Sequence, residues 1–269
     1  MTRSRQFEVT HYRRTSPVPE KETRAVVLES ALVISVNGEA DYAIMRTPGN
    51  DRELAVGFLF SEGMIGGVGE VTMLMECPDA PNSIFVKTSR PDAAVVKRNL
   101  VISSSCGLCG RADIEALVAG LPAADGQIRM EAALLYAVPA SVRGAQALFA
   151  ETGGTHAAAL FDPQGRLLVV REDVGRHNAL DKVIGNALLT GVAMNGLGVF
   201  LSGRASLEMI VKAARARIPI VAAVSAPTEA AVDVAGRLGI TLCGFVRGDE
   251  VTVYTHEYRL ASGEDPHAG

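Results

Sequence analysis

The feature that most constrains this chain is the alternation in its second half, where short apolar runs and amphipathic stretches follow one another from Ala157 to Tyr254. Strands read at Ala157 to Phe161, Leu167 to Arg171, Gly198 to Leu201, Ile218 to Val224 and Ile240 to Phe245, with Val251 to Tyr254 closing the series. Helices read between them at His177 to Leu189, Ala205 to Ala214 and Thr228 to Leu238. Consecutive strand–helix units bury their apolar faces as a parallel sheet covered by helices, so residues 139–260 predict an α/β lobe.

The first half reads as a smaller N-terminal α+β lobe over residues 24–138, preceded by a polar arm over 1–23 in which Pro17 and Pro19 oppose regular structure. The arm is expected to be loosely ordered. The apolar run Ala25 to Val36 meets Asn37-Gly38 and resumes through Tyr42 to Met45, a hairpin pattern. Asn50 or Asp51 then caps a helix with Leu54, Ala55, Phe58 and Leu59 on one face, ended by Gly63. Further strands are expected at Ser83 to Thr88 and Ala93 to Ile102, and helices at Ala112 to Ala119 and Pro139 to Ala150, the latter with proline in its first turn. Residues 261–269 read as a tail.

The charge balance narrows the partners. A net charge of −4 gives no broad electrostatic footprint for nucleic acid or an anionic membrane, so any anionic ligand must be held by local arginines. The first residues lack the apolar stretch of a secretory signal, and apolar runs such as Ile218 to Val224 fall far short of the roughly 20 residues that span a bilayer. A cytoplasmic protein with reduced thiols is the expectation. Of four cysteines, Cys77, Cys106, Cys109 and Cys243, only Cys106 and Cys109 are close in sequence.

Ser103 to Gly110 looks built for chemistry. Cys106 and Cys109 sit on a glycine-flanked loop just before a helix, where the N-terminal dipole favours the reactive thiolate. A structural zinc site would need two more nearby ligands, and Cys77 and Cys243 each stand alone. A zinc deaminase would need a histidine and glutamate before a Pro-Cys-x-x-Cys, whereas these cysteines precede His156. A disulfide exchanger would need both cysteines equally, and the two could also be small buried residues. The remaining reading is a nucleophilic cysteine that takes up sulfur and passes it on, with Gly107 and Gly110 letting the loop swing.

Other candidates lie at strand ends. Gly154, Thr155 and His156 follow a helix and open a strand, so their backbone could face a pyrophosphate; a tight connection and a structural histidine are the plainer alternatives. Arg171 to Asn178 packs charged side chains between a strand and a helix, where open α/β sheets bind ligands; a charged, salt-bridged loop is its alternative. Ser202-Gly203-Arg204 likewise follows a strand and opens a helix, so Arg204 and helix amides suit a phosphate. Neither dinucleotide-binding nor P-loop glycine patterns occur.

Taken in order, Glu53 to Gly63, Cys106 to Gly110, Thr152 to Ala158, Arg171 to Lys182, Ser202 to Arg204, Ser225 to Thr228 and Gly244 to Gly248 resemble the FdhD family of formate dehydrogenase accessory sulfurtransferases. That resemblance implies an α/β, cytidine-deaminase-like mixed sheet core and a homodimer. It implies transfer of sulfur from a cysteine desulfurase to the molybdenum cofactor Mo-bis(molybdopterin guanine dinucleotide), needed for formate dehydrogenase activity. The cofactor would be a bound acceptor substrate, with no permanently bound metal. Cys106 matches the persulfide-carrying position and Cys109 the second loop cysteine, while Phe245, Val246, Arg247, Gly248, Asp249 and Glu250 match the cofactor-binding stretch. A non-enzymatic chaperone that binds this cofactor and docks on formate dehydrogenase is the alternative; it would need the second-lobe arginines but could spare Cys106.

Overall fold

The computed structural model describes residues 2–261 except 17, 79, 91–114, 116–117, 125 and 127. The expected strand at Ala93 to Ile102, the Cys106 and Cys109 loop and most of the helix expected at Ala112 to Ala119 lie outside the described residues.

The arm expected to be loose is instead a ribbon. β1 (Ser4–His11) and β2 (Glu20–Val27) pair antiparallel along their whole length. Pro19 falls in the connection between them, where it costs no ladder hydrogen bond. The next hairpin follows the sequence: β3 (Ser30–Val36) and β4 (Ala40–Arg46) pair antiparallel, and Asn37 and Gly38 take φ of 55° and 74°. Glu39 N donates to Val36 O, closing a turn whose two central residues both need positive φ, which Asn-Gly supplies.

A helix, α1 (Asp51–Ser61), follows, with Asn50 in the left-handed region at φ 57° and no capping side-chain bond. Every residue from Leu54 to Ser61 is buried, because α1 lies between two bodies. On one side is the four-stranded sheet β4-β3-β6-β5, in which β6 (Ser83–Thr88) runs parallel to β3 and β5 (Val71–Glu76) antiparallel to β6. β5 escaped the sequence reading because its exposure does not alternate; Thr72, Met73 and Met75 all face outward. On the other side is a later helix, α4.

The second lobe opens with β7 (Met130–Glu131) and α2 (Ala132–Ala145), then α3 (Ala147–Thr152). The helix expected to begin at Pro139 begins at Ala132, with Pro139 in its interior. Leu135, Val138 and Val142 form its buried stripe, and that burial outweighs the one backbone bond that proline cannot donate.

The large sheet has the order β13-β12-β11-β10-β8-β9. Its strands are β8 (His156–Phe161), β9 (Leu167–Asp173), β10 (Gly198–Leu201), β11 (Ile220–Ala223), β12 (Thr241–Arg247) and β13 (Glu250–Thr255). Only β10, β11 and β12 are mutually parallel; β8 is antiparallel to β9 and β10, and β13 to β12. The parallel sheet expected from the strand–helix pattern is therefore corrected to the mixed sheet that the family resemblance implied. The turns at Asp162 to Gly165 and at Gly248-Asp249 are too short to carry a parallel crossover.

One face of this sheet packs Ala158, Leu160, Val199, Leu201, Val221 and Leu242 into a core shared with α4 (Arg176–Thr190), α5 (Leu207–Arg215), α6 (Glu229–Arg237) and α1. The other packs Ala159, Phe161, Phe200, Ile220 and Cys243 against α2. Where α1 crosses α4, Gly57 and Gly185 leave no room for a side chain: a Cβ on Gly57 would lie 1.8 Å from the Asp181 carbonyl oxygen, and one on Gly185 1.9 Å from that of Glu53.

A last strand, β14 (Leu260–Ala261), pairs parallel with β7. Beside it the buried Arg259 donates to the carbonyls of Ala124, Gly126 and Gly239 and to Thr241 Oγ1. Among the described residues no helix is long and apolar enough to cross a membrane.

Candidate functional site

The carboxyl ends of β10, β11 and β12 share one edge of the sheet, and the loops leaving them are stitched together. Val224 N donates to Leu201 O, Thr228 N to Ala205 O, and Phe245 N to Ser225 O. Ser202 N donates to Ala157 O, and Ser202 Oγ accepts from Ala157 N at 2.8 Å. That exchange fixes the start of β8, and so His156, at the same edge. From β8 to β12 this edge spans three strand spacings, about 14 Å. Helix starts and arginines along such a span suit an elongated anion.

At the β8 end, β9 delivers Asp173 opposite His156 and runs on into α4. Asp173 is fully buried with Lys182, Oδ2 to Nζ 2.7 Å. It also accepts from Thr47 N, Gly175 N and Asn178 Nδ2. Lys182 Nζ donates to Thr47 O, and Asn178 to Met45 O. A buried charge pair is tolerable only when its remaining hydrogen-bonding capacity is filled, and here both lobes fill it. The loop Val174-Gly175 is thereby held against the end of β4, and Arg176 and His177 are aimed along the edge.

His156 stands beside Arg176: a Cβ on Gly203 would lie 3.4 Å from His156 Nδ1 and 3.9 Å from Arg176 Cδ. Burial, with Arg176 and His177 nearby, holds the His156 imidazole below its ordinary value. His177 Nε2 lies 2.5 Å from Glu208 Oε2. That contact holds Glu208 below the usual carboxylate range. Deeper in, Lys212 contacts Asp181 at 2.8 Å and Glu62 at 3.6 Å, tying α5 to α4 and α1.

The residues named from the sequence fall unevenly on this frame. Arg204 is exposed on the edge, and Gly154 is exposed in a turn packed so closely on β2 that a Cβ would lie 2.7 Å from Val27 Cγ1. Thr155 is buried with its hydroxyl given to Glu172 Oε2 at 2.8 Å. Glu172 uses its remaining capacity on Leu148 N and Phe149 N at the start of α3. Phe245 is half-buried at φ 53°, in the left-handed region that bulky residues avoid, and Arg247 lies over its ring at 5.5 Å. Val246 is buried in the core, whereas Arg247, Gly248, Asp249 and Glu250 are exposed in the β12–β13 turn. Cys106 and Cys109 lie outside the described residues. Of the other thiols, Cys243 is buried and pushed up to about 12 by burial, and Cys77 is half-buried.

Residues 27–261 match the model of the FdhD/NarQ family. The chain belongs to that family. A Streptomyces avermitilis protein named sulfur carrier protein FdhD is 44% identical over 251 residues, covering 88% of this chain and 89% of its own. One of the same name from Saccharolobus solfataricus is 41% identical over 244 residues, covering 89% and 92%. The solved structure of a proposed formate dehydrogenase accessory protein from Desulfotalea psychrophila superposes with a TM-score of 0.79 at 25% identity, over 97% of this chain and all of that one.

In this FdhD/NarQ member the sequence reading named the strand-end loops but not Arg176, His177 or Glu208 as a group. The first two were visible as a charged helix start. Glu208 stands alone in the sequence, and only packing of α5 beside α4 brings it to His177.

Proposed function

We propose that the protein is a sulfur carrier for formate dehydrogenase maturation, loading a cysteine desulfurase's sulfur on Cys106 and delivering it to the molybdenum of Mo-bis(molybdopterin guanine dinucleotide). The observation that carries the reading is the close relation to proteins named sulfur carriers in a chain that contains Cys106-Gly107-Leu108-Cys109. Loading needs a thiolate. The Cys106 thiolate attacks the outer sulfur of the desulfurase persulfide, the old S–S bond breaks, and the donor cysteine leaves as thiolate. Cys243 is unsuited to this, since a thiol pushed up to about 12 is protonated at neutral pH.

The acceptor cofactor is substrate here, and the sheet edge supports a site for its phosphates. Arg204 and Arg247 are exposed there, and a guanidinium fork matches the geometry of phosphate oxygens. Phe245 offers a ring beside them, and Gly154, Thr155 and His156 complete the far end, Thr155 through its backbone. The sheet order, a parallel trio flanked by antiparallel strands, supports a cytidine-deaminase-like core. A cytoplasmic homodimer fits the family resemblance.

The test is intact-mass analysis after incubation with a desulfurase and cysteine. Wild type gains the mass of one sulfur atom and Cys106→Ala gains none, while Cys109→Ala retains loading. Full loading and full formate dehydrogenase maturation by Cys106→Ala would overturn the carrier reading. In calorimetry with GDP, Arg204→Ala and Arg247→Ala should each weaken binding about ten- to hundredfold. Unchanged binding by both would remove these arginines from the site.

A further inference from the structure

Among the described residues β1 and β2 pair only with each other. Their eight residue pairs run about 27 Å, at roughly 3.4 Å per residue, and both faces of the ribbon are largely exposed. A lone two-stranded hairpin is marginal in water, so a ribbon of this length gains from a surface to lie on. It is tied to the body at its root. Arg3 Nη2 donates to Glu172 O, Ser4 Oγ donates to Glu151 Oε1 at 2.7 Å, and Val27 packs on Gly154. The root therefore borders Gly154, Thr155 and His156 at the β8 end of the edge.

Charge sets the ribbon apart from the body. Residues 1–27 carry six cations against three anions, a net +3, and the remaining residues carry −7, which gives the chain its −4. All three acids are spent inside the ribbon: Glu8 on Lys21, Glu20 on Arg13, and Glu22 on Arg24 and His11. Arg5 and Arg14 keep no carboxylate partner among the described residues. Directly opposed residues share a face, so Arg5 and Val26 lie beside Phe7 and Arg24 on one side, and Glu8 and Lys21 lie on the other. Phe7 is 45% exposed and Val26 43%, and Arg5 stands over the Phe7 ring at 5.7 Å. Aromatic rings with arginines are the composition of interface centres rather than of free surface.

We propose that the Phe7 face of the ribbon is a docking arm for an acidic surface on the protein that receives the cofactor, the formate dehydrogenase. Two observations choose this occupant. The arm's unspent cations call for an acidic surface, and its root borders the edge across which the cofactor must leave, so a recipient held by the arm faces that edge. The inference rests on the carrier reading for the recipient's identity; the arm's charge and exposure stand without it. The acidic body of a second copy is the rival occupant. Docking through unspent charge is steered at long range and weakens with salt.

Biolayer interferometry of the full chain on immobilised, cofactor-free formate dehydrogenase, at low and at high salt, tests this. Arg5→Glu with Arg14→Glu should bind at least about tenfold more weakly than wild type at low salt, and the difference should shrink at high salt. Phe7→Ala should bind about five- to thirtyfold more weakly at either salt. Exchanging the charges of the opposite face, Glu8→Lys with Lys21→Glu, should leave binding within about twofold. Wild type that does not bind, or arm variants that bind as wild type does, would overturn the dock. Sedimentation of the same proteins reads the rival: if the arm variants fall from dimer to monomer, a second copy is the occupant and the proposal is overturned. Cys106 loading, followed by intact mass, keeps the two readings apart. Normal loading with arm-independent binding sinks the dock alone, and absent loading sinks the carrier reading while arm-dependent binding stands.

Discussion

Gly57 of α1 and Gly185 of α4 meet backbone to backbone, each filling the place where the other helix would collide with a side chain. Glycine at both positions is required by distance rather than by conformation, since neither has positive φ. The crossing lets α1 lie in the shared core with Leu54 to Ser61 buried on every side.

Gly57→Ala and Gly185→Ala should each destabilise the fold by about 2–3 kcal/mol, because a methyl 1.8–1.9 Å from a carbonyl oxygen forces the helices apart. Gly236→Ala in α6 is the control. Its Cβ would meet only Thr255 Cγ2 at 3.6 Å, and alanine should stabilise that helix by about 0.5–1 kcal/mol. Urea unfolding midpoints separate the two outcomes.

Lys182→Met should cost about 3–5 kcal/mol, since it leaves the Asp173 carboxylate buried without its cation. Lys182→Met with Asp173→Asn should recover part of that loss, and a double-mutant cycle by chemical denaturation measures how much. Strict additivity of the two single changes would contradict the pairing.

Acid should weaken the fold through His156. Its folded-state value lies below the ordinary one of about 6.5, so the unfolded chain takes up the proton first. The contribution is present above about pH 6.5 and is lost as pH falls toward the folded value. His156→Gln should therefore flatten the decline in melting temperature between pH 7 and 5, and an unchanged slope would remove His156 from that role.

Cys243 should resist alkylation in the native protein at neutral pH and react after denaturation, because its buried thiol is pushed up to about 12. Cys243→Ala should leave sulfur loading intact. Peptide mapping after iodoacetamide treatment reads the first expectation, and the mass assay the second.

Local signals carried much of the fold. Asn37-Gly38 specified the hairpin because only a few residues tolerate that turn, and the α4, α5 and α6 helices followed from spacing of apolar residues. The strand direction of β8 and β13 was legible too, in turns too short for a crossover, but the repeating strand–helix pattern argued against it. Pro139 misled because its local cost was weighed without the burial of Leu135, Val138 and Val142. At the edge, Arg204 could be named from its place after a strand, whereas the Phe245 to Glu250 turn was named through the family resemblance. The commitment of Thr155 to Glu172, and the meeting of His177 with Glu208, depend on partners 17 and 31 residues away that no local pattern marks.

Arg259 has a consequence for the order of events during synthesis. It holds Ala124 and Gly126, at the junction of the two lobes, to Gly239 just before the last parallel strand and to Thr241 at its start. The junction therefore cannot be fastened until translation has passed residue 259, although the N-terminal hairpin and α1 emerge early. Chains growing at about 5–20 residues per second leave an interval of several seconds or more between the emergence of Ala124 and that of the side chain that anchors it. A nascent chain stalled before Arg259 should be cut by protease near Ala124, and one released past it should be protected.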